Sequence, residues 1–133
     1  MEAKLISQLR ERKLKVTPQR VLILKILNRG GHYTGEQVYS LIKKEVPGIS
    51  ISTVYNTLDI LHSKGLLNSF EVNGMKWYEA ETRSHVNVYC TNSKEIIDID
   101  LDFSQIERAL KSKGLNPTKI SIIAYSECKK QGN

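Results

Sequence analysis

The dipeptide Asn73-Gly74 constrains the fold of this chain more than any other feature of its sequence. It stands between two short segments of strand character, 66–72 and 75–80. A two-residue turn of type I′ needs positive φ at both central positions, and asparagine followed by glycine tolerates this conformation well. The sequence therefore predicts a β-hairpin at this point in the chain.

Four segments before the hairpin carry apolar residues at helical spacing, with capping residues at their starts and glycine or proline after their ends. Thr17-Pro18, Thr34, and either Ser50 or Ser52 supply the start signals. The predicted helices cover 2–12, 18–28, 36–45 and 53–63. Helices followed by a hairpin are typical of a winged helix, in which the third and fourth helices form the helix-turn-helix and the hairpin forms the wing.

The predicted core consists of the apolar residues that share one face of each helix. These are Leu5, Ile6, Leu9, Val21, Leu22, Leu24, Ile26, Leu27, Val38, Leu41, Ile42, Val54, Leu58 and Leu61.

A second, smaller region follows the hairpin. Residues 81–84 resemble a hinge, and beyond them the pattern predicts strands at 85–90 and 95–99, a helix at 103–113 and a strand at 119–125. About 50 residues bury too little surface to be stable alone. We therefore expect an α+β protein with a winged helix-turn-helix domain (1–80) and a small α/β dimerisation domain (85–133), which pairs with a second copy as a homodimer.

Charge is distributed unevenly between these regions. Residues 1–80 hold 12 Lys and Arg against 7 Asp and Glu, whereas residues 81–133 hold 8 against 7. A basic first region suits a polyanionic partner, and a Lys-rich solvated surface is the alternative interpretation. The sequence has no apolar run near the roughly 20 residues that a membrane helix needs, and no secretory signal at its start. We expect a cytoplasmic protein without a membrane partner.

The fourth helix is the candidate DNA-reading element, because recognition helices contact base edges from their N-terminal residues. If its apolar residues face inward, then polar groups that suit base edges and thymine methyls remain exposed: Ser52, Thr53, Tyr55, Asn56 and Thr57. Ser52 and Thr53 could equally serve only as caps. Basic residues placed to bind phosphates are Lys13, Lys15, Arg20 and Lys76.

Four stretches resemble the ferric uptake regulator superfamily and, within it, its peroxide-sensing branch. They are VTPQRVLIL (16–24), HYTGEQVY (32–39), ISISTVYNTLDIL (49–61) and HVNVYC (85–90). The resemblance extends from about residue 5 to 128. It implies a DNA-binding repressor of iron-homeostasis or peroxide-stress genes, whose partner is a double-stranded DNA operator.

The resemblance also implies one regulatory divalent metal per subunit, between the two domains. Its ligands carry over to His32, Glu79, His85 and Asp98. The family's second histidine of the strand motif is replaced here by Asn87. Two nitrogens with two or three oxygens suit Fe²⁺ or Mn²⁺ and tolerate Zn²⁺. Taken alone, each of these residues could be an ordinary structural or surface residue.

Many relatives hold a structural zinc with two C-x-x-C pairs, and here one cysteine of each pair remains. The chain has Cys90-Thr-Asn-Ser93 and Cys128-Lys-Lys-Gln131, so we expect no four-cysteine zinc. Two ligands of one zinc lie close together, so Cys90 and Cys128 should be neighbours that could form a disulfide. Because disulfides are rare in the cytosol, two buried free thiols are the favoured expectation.

Two other interpretations compete with a metal-responsive repressor. One is a winged-helix regulator that needs no metal and is switched by the two cysteines. The other is a metallo-enzyme that uses the same four ligands. The sequence offers no nucleophile with a base and no glycine-rich phosphate loop, so we expect neither enzymatic activity nor a small-molecule substrate.

Overall fold

The computed structural model describes residues 1–129 of the 133. They form two compact units that divide between Thr82 and Arg83. This division falls within the segment 81–84 that the sequence marks as a hinge. None of the helices in the described residues is both long and apolar enough to cross a bilayer.

The first unit contains four helices and a three-stranded antiparallel sheet in the order β1-β3-β2. Strand β1 has only two residues, and the sequence pattern did not predict it. The elements are α1 (Glu2–Glu11), α2 (Pro18–Leu27), β1 (Tyr33–Thr34), α3 (Gly35–Ile42), α4 (Ile51–Ser63), β2 (Asn68–Val72) and β3 (Met75–Glu79).

The predicted capping residues begin three of these helices. Thr17 accepts a hydrogen bond from the backbone of Arg20 at the start of α2. Thr34 and Gln37 form a reciprocal capping box at the start of α3. Ser50, rather than Ser52, is the N-cap of α4.

The hairpin is confirmed. Asn73 and Gly74 have φ of 52° and 77°, as a type I′ turn requires. The pairing continues from Val72 opposite Met75 along the full length of both strands. The wing therefore has a register that the turn fixes.

One apolar core holds the first unit together, and α1, α2, α3 and α4 all contribute to it. Most of the predicted core residues are buried, but Ile6, Leu22 and Leu41 are only partly buried. Ile23 is fully buried and was not predicted. Its position on α2 shows that this helix is covered on more than one side.

The second unit is a three-stranded sheet with one helix. Its elements are β4 (His85–Cys90), β5 (Ile96–Ile99), α5 (Ser104–Ser112) and β6 (Ser121–Ser126). The central strand β4 pairs antiparallel with β5 and parallel with β6. Among the residues 83–129 that the structure describes here, only Val86, Cys90 and Phe103 are buried apolar residues, and α5 has no buried residue.

Cys90 and Cys128 form a disulfide with a Cα–Cα distance of 5.3 Å, so the expectation of two free thiols is wrong. The reason is the parallel pairing, which places Cys90 opposite Ser126, only two residues before Cys128. The side chain of Asn92 holds the same segment, since its amide donates to the Cys128 carbonyl (2.9 Å) and its oxygen accepts from the Cys128 amide (3.0 Å).

Candidate metal ligands and nucleic-acid interface

Two of the predicted metal ligands meet within the first unit. Pairing of Tyr33 with Tyr78 between β1 and β3 places His32 beside Glu79. The His32 Nε2 lies 3.1 Å from a Glu79 carboxylate oxygen, Oε2. Both side chains are buried, with 8% and 1% exposure. An imidazole nitrogen and a carboxylate oxygen at this spacing could close on one small cation.

Two neighbours fix this pair. The His32 ring packs edge-on against Phe70, with centroids 5.7 Å apart. The second carboxylate oxygen of Glu79, Oε1, accepts a 2.7 Å hydrogen bond from the side-chain amide of Asn68. Sequence analysis missed Asn68. The hairpin register could have revealed it, because a two-residue turn at Asn73-Gly74 places Asn68 opposite Glu79.

The other predicted pair lies within the second unit. The His85 Nδ1 is 2.7 Å from the carbonyl oxygen of Arg83. A carbonyl only accepts, so Nδ1 carries the proton and Nε2 is the nitrogen that can bind a metal. This Nε2 lies 3.5 Å from the Asp98 carboxylate. The hydrogen bond thus selects the tautomer that a ligand histidine needs.

Asn87 lies where the family motif has its second histidine. It follows His85 by two residues on β4, so both side chains are on one face of the sheet. It is opposite Asp98 in the register and is 2% exposed. A buried amide there can offer a carbonyl oxygen, which is a weaker ligand than imidazole for late transition metals.

The predicted donor set suits a divalent ion of intermediate hardness. Each unit supplies one imidazole nitrogen and one carboxylate, and the second unit also supplies the amide oxygen of Asn87. The set contains no thiolate, because both cysteines are bonded to each other. Fe²⁺ and Mn²⁺ match this mixture, and Zn²⁺ is compatible with it.

The exposed start of α4 carries most of the predicted base-reading residues. Ser52, Tyr55 and Asn56 are exposed and Thr53 is partly buried. The hydroxyls of Ser52 and Thr53 lie 3.0 Å and 2.8 Å from that of the N-cap, Ser50. These two residues are therefore already part of the cap cluster.

Thr57 must be removed from the predicted DNA-reading residues. It is only 7% exposed, and its hydroxyl donates to the Thr53 carbonyl one turn earlier. The sequence interpretation placed it on the exposed face. Its methyl-bearing side chain instead follows Val54 and Leu58 toward the interior.

Gly35 determines where the Tyr55 ring lies, and sequence analysis missed this residue too. A Cβ at position 35 would overlap the Tyr55 ring. The ring, which is 36% exposed, therefore lies directly over the first residue of α3. Any larger residue at position 35 would displace the aromatic side chain of the reading helix.

The predicted phosphate-binding residues differ in how freely they face solvent. Lys13 and Lys15 are exposed. Arg20 is partly buried, and its guanidinium donates to the Lys15 carbonyl at 2.7 Å. Lys76 in the wing lies 3.7 Å from the carboxylate of Asp59 on α4. Lys76 would have to leave that exposed ion pair in order to bind a phosphate.

The same carboxylate also affects a buried tyrosine. Burial raises the pKa of Tyr78 to about 12, and the neighbouring charge of Asp59, together with its hydrogen bond to the phenol, acts in the same direction. Tyr78 is 1% exposed and belongs to the core. The wing is therefore joined to the reading helix through both Lys76 and Tyr78.

The chain belongs to the ferric uptake regulator family, whose sequence profile matches residues 11–125. It is 26% identical to the peroxide-responsive repressor PerR of Staphylococcus aureus over 93% of this chain and 86% of that protein. Its fold matches that of the Campylobacter jejuni peroxide stress regulator with a TM-score of 0.76 and 35% identity, covering 96% and 98% of the two chains. The Pseudomonas aeruginosa ferric uptake regulator, solved with manganese, gives a TM-score of 0.80 and 26% identity, covering 95% and 98%.

These similarities confirm the predicted winged helix-turn-helix followed by a small α/β domain. The protein is a metal-responsive, DNA-binding transcriptional repressor and not an enzyme.

Proposed function

We propose that one divalent ion per chain, Fe²⁺ or Mn²⁺ with Zn²⁺ also compatible, controls DNA binding. Its ligands are His32 and Glu79 from the first unit with His85, Asn87 and Asp98 from the second. The observation that carries this proposal is that each unit separately brings an imidazole Nε2 within 3.5 Å of a carboxylate oxygen. An ion shared by the two half-sites would restrict how the units move relative to each other.

The DNA partner is a double-stranded operator that α4 reads in the major groove. Ser52, Thr53, Tyr55 and Asn56 supply the base contacts. Lys13, Lys15, Arg20 and Lys76 supply phosphate contacts. Metal binding is coupled to DNA binding because two reading helices must match major grooves one helical turn apart, about 34–36 Å.

A second copy of this chain provides the other reading helix. The second unit leaves large apolar side chains exposed, including Leu101 (58%), Ile106 (41%) and Leu115 (54%). Such a surface favours a protein partner. A second copy fits because a palindromic operator needs two reading helices related by a two-fold axis.

The regulated genes are those of iron homeostasis or of the peroxide response, with the peroxide response favoured, and the protein acts in the cytoplasm. The support is the similarity to two proteins whose names state a peroxide function, at 26% and 35% identity. The donor set, with its two imidazoles and hard oxygens, suits the ion through which iron-dependent peroxide sensing would operate.

Gel shifts on a genomic library of duplex fragments test the metal requirement. Duplex binding should appear with Mn²⁺ and disappear with a chelator. H85A should weaken Mn²⁺ binding and DNA retention together, whereas the double variant Y55A/N56A should lose DNA retention and keep Mn²⁺ binding. Chelator-resistant DNA binding would contradict the proposal.

A thiol-switched regulator is the second candidate, and the Cys90–Cys128 disulfide is the observation that favours it. It predicts that a reductant, and not a chelator, abolishes DNA retention. The variant C90S/C128S separates the two cases. Its DNA binding should still depend on the metal if the metal is the switch, and should no longer respond to a reductant if the thiols are the switch.

A further inference from the structure

Asn68 is the first residue of β2, and its side chain lies on the same face of the hairpin as Glu79. The two residues are directly opposite in the antiparallel register. Both are buried, at 4% and 1% exposure. The 2.7 Å contact between the Asn68 amide nitrogen and Glu79 Oε1 is thus shielded from water.

In this contact Asn68 is the donor and Glu79 the acceptor. This direction suits a metal ligand, because a carboxylate that binds a metal is ionised and can only accept hydrogen bonds. Hydrogen bonds to a buried charged acceptor are stronger than neutral ones. The bond therefore makes the two oxygens of Glu79 inequivalent, because Oε1 is held by Asn68 while Oε2 lies 3.1 Å from His32.

We propose that Asn68 is a positioning residue for the metal site, which engages Oε1 and presents Oε2 as a single-oxygen ligand. This inference rests on the proposed role of His32 and Glu79 as ligands. It assigns a particular consequence to Asn68, namely that Glu79 binds the ion through one oxygen and not as a chelate. Carboxylates that bind through one oxygen suit small ions, whereas Ca²⁺ commonly takes bidentate carboxylates.

Removal of the donor should weaken the site. N68L keeps the branched shape of asparagine with somewhat larger terminal groups and has no hydrogen-bonding group, and N68A is the smaller alternative. In either variant the apparent Kd for Mn²⁺, followed by the electron paramagnetic resonance signal of the free ion, should rise roughly 10- to 100-fold. N28L is the matched control, since Asn28 also donates a 2.7 Å side-chain hydrogen bond but to the Leu24 carbonyl at the end of α2; it should leave the Kd unchanged.

If Asn68 positions Glu79, its removal should change Mn²⁺ affinity in opposite directions in two backgrounds, which a general structural role would not produce. In E79Q the Asn68 amide should still donate to the remaining carbonyl oxygen, which turns the new NH₂ group toward His32 and blocks metal binding. Addition of N68L should free that amide to rotate and present its oxygen. Asn68 removal should therefore weaken Mn²⁺ binding in the wild-type background and strengthen it in the E79Q background.

Three outcomes would overturn the inference. The first is an unchanged Mn²⁺ Kd in folded N68L and N68A. The second is that N68L weakens Mn²⁺ binding equally in the wild-type and E79Q backgrounds. The third is that N68L and N68A both lose the native circular dichroism spectrum, which would make Asn68 a folding residue.

H32A distinguishes the proposed function from this inference. If H32A also leaves the Kd unchanged, the ligand assignment itself fails. If H32A weakens binding and N68L does not, only the role of Asn68 fails.

Discussion

The two units of this protein stabilise themselves in different ways. The first buries fifteen apolar residues in one cluster drawn from four helices and the hairpin. In the described part of the second, the buried apolar residues are only Val86, Cys90 and Phe103, and no residue of its helix α5 is buried. The first unit therefore resembles a complete small domain, whereas the second buries too few apolar side chains to form a core of its own.

This difference indicates that the second unit needs stabilisation beyond its own apolar contacts. Its sheet is reinforced covalently, by the disulfide between the end of β4 and the segment that follows β6. Its exposed apolar surface requires a partner, which we propose to be a second copy. The first unit thus has its own apolar core, whereas the second relies on a covalent cross-link and on the proposed pairing with a second copy.

Loss of the disulfide should give the largest effect. The bond closes a loop with a sequence separation of 38. A loop of this size corresponds to about 4 kcal/mol in the chain-entropy account. C90S/C128S should lower the unfolding free energy of the second unit by that order, as measured by hydrogen exchange resolved by residue. Equal loss of protection in α2 and α4 would contradict the independence of the two units.

A charge on the exposed face of α5 should give the next largest effect. Ile106 is 41% exposed, and in a symmetric dimer its substitution acts on both copies. I106D should weaken self-association roughly 100-fold, equivalent to about 2.7 kcal/mol. Sedimentation velocity measures this, with E107Q as the control on the same helix. A dimer that survives I106D unchanged would place the interface elsewhere.

The alkaline stability of the first unit should depend on Tyr78. Its pKa is raised to about 12, so its contribution is fully present below the ordinary value near 10 and is lost as pH rises through about 12. In that window the unfolding free energy should fall by about 1.4 kcal/mol per pH unit more in the wild type than in Y78F. Denaturant titrations at pH 9, 10 and 11 check this. Parallel curves for the two proteins would refute it.

The smallest effect concerns the cap of the reading helix. Ser50 accepts a hydrogen bond from the Thr53 backbone at 3.1 Å. S50A should lower the stability of the first unit by about 1 kcal/mol. S52A is the matched control and should have little effect on stability, because its hydroxyl lies beside the cap and is not the cap itself. Equal destabilisation by S50A and S52A would show that the hydroxyls of Ser50, Ser52 and Thr53 cap the helix together.

Elements whose signals are local could be predicted from the sequence. Asn73-Gly74 specified the wing, and Thr17, Thr34 and the alternative of Ser50 or Ser52 marked the starts of three helices. Strand β4 was predicted with its observed bounds, and the helix α5 to within one residue at each end. Turn and cap residues act through neighbours within three or four positions, so a pattern search finds them.

Features that depend on tertiary packing escaped the sequence analysis. Thr57 shares the composition of its exposed neighbours, and only the rotation of α4 against the core shows that it is buried. The family resemblance predicted that Cys90 and Cys128 are neighbours, but the parallel pairing of β4 with β6 that brings them together is a tertiary feature. Within the candidate metal site, His32 and Glu79 came from the family resemblance, whereas Asn68 required the strand register.

The short strand β1 connects the proposed metal ligand of the first unit directly to the residues beside the candidate DNA-reading helix. His32 immediately precedes Tyr33, which is held against Tyr78; Thr34 then caps α3, and Gly35 supports the ring of Tyr55. Three steps along one backbone thus lead from the proposed ligand imidazole to the glycine beneath a predicted base-reading aromatic. An ion bound to His32, as proposed, would therefore act next to the residues that support the DNA-reading surface.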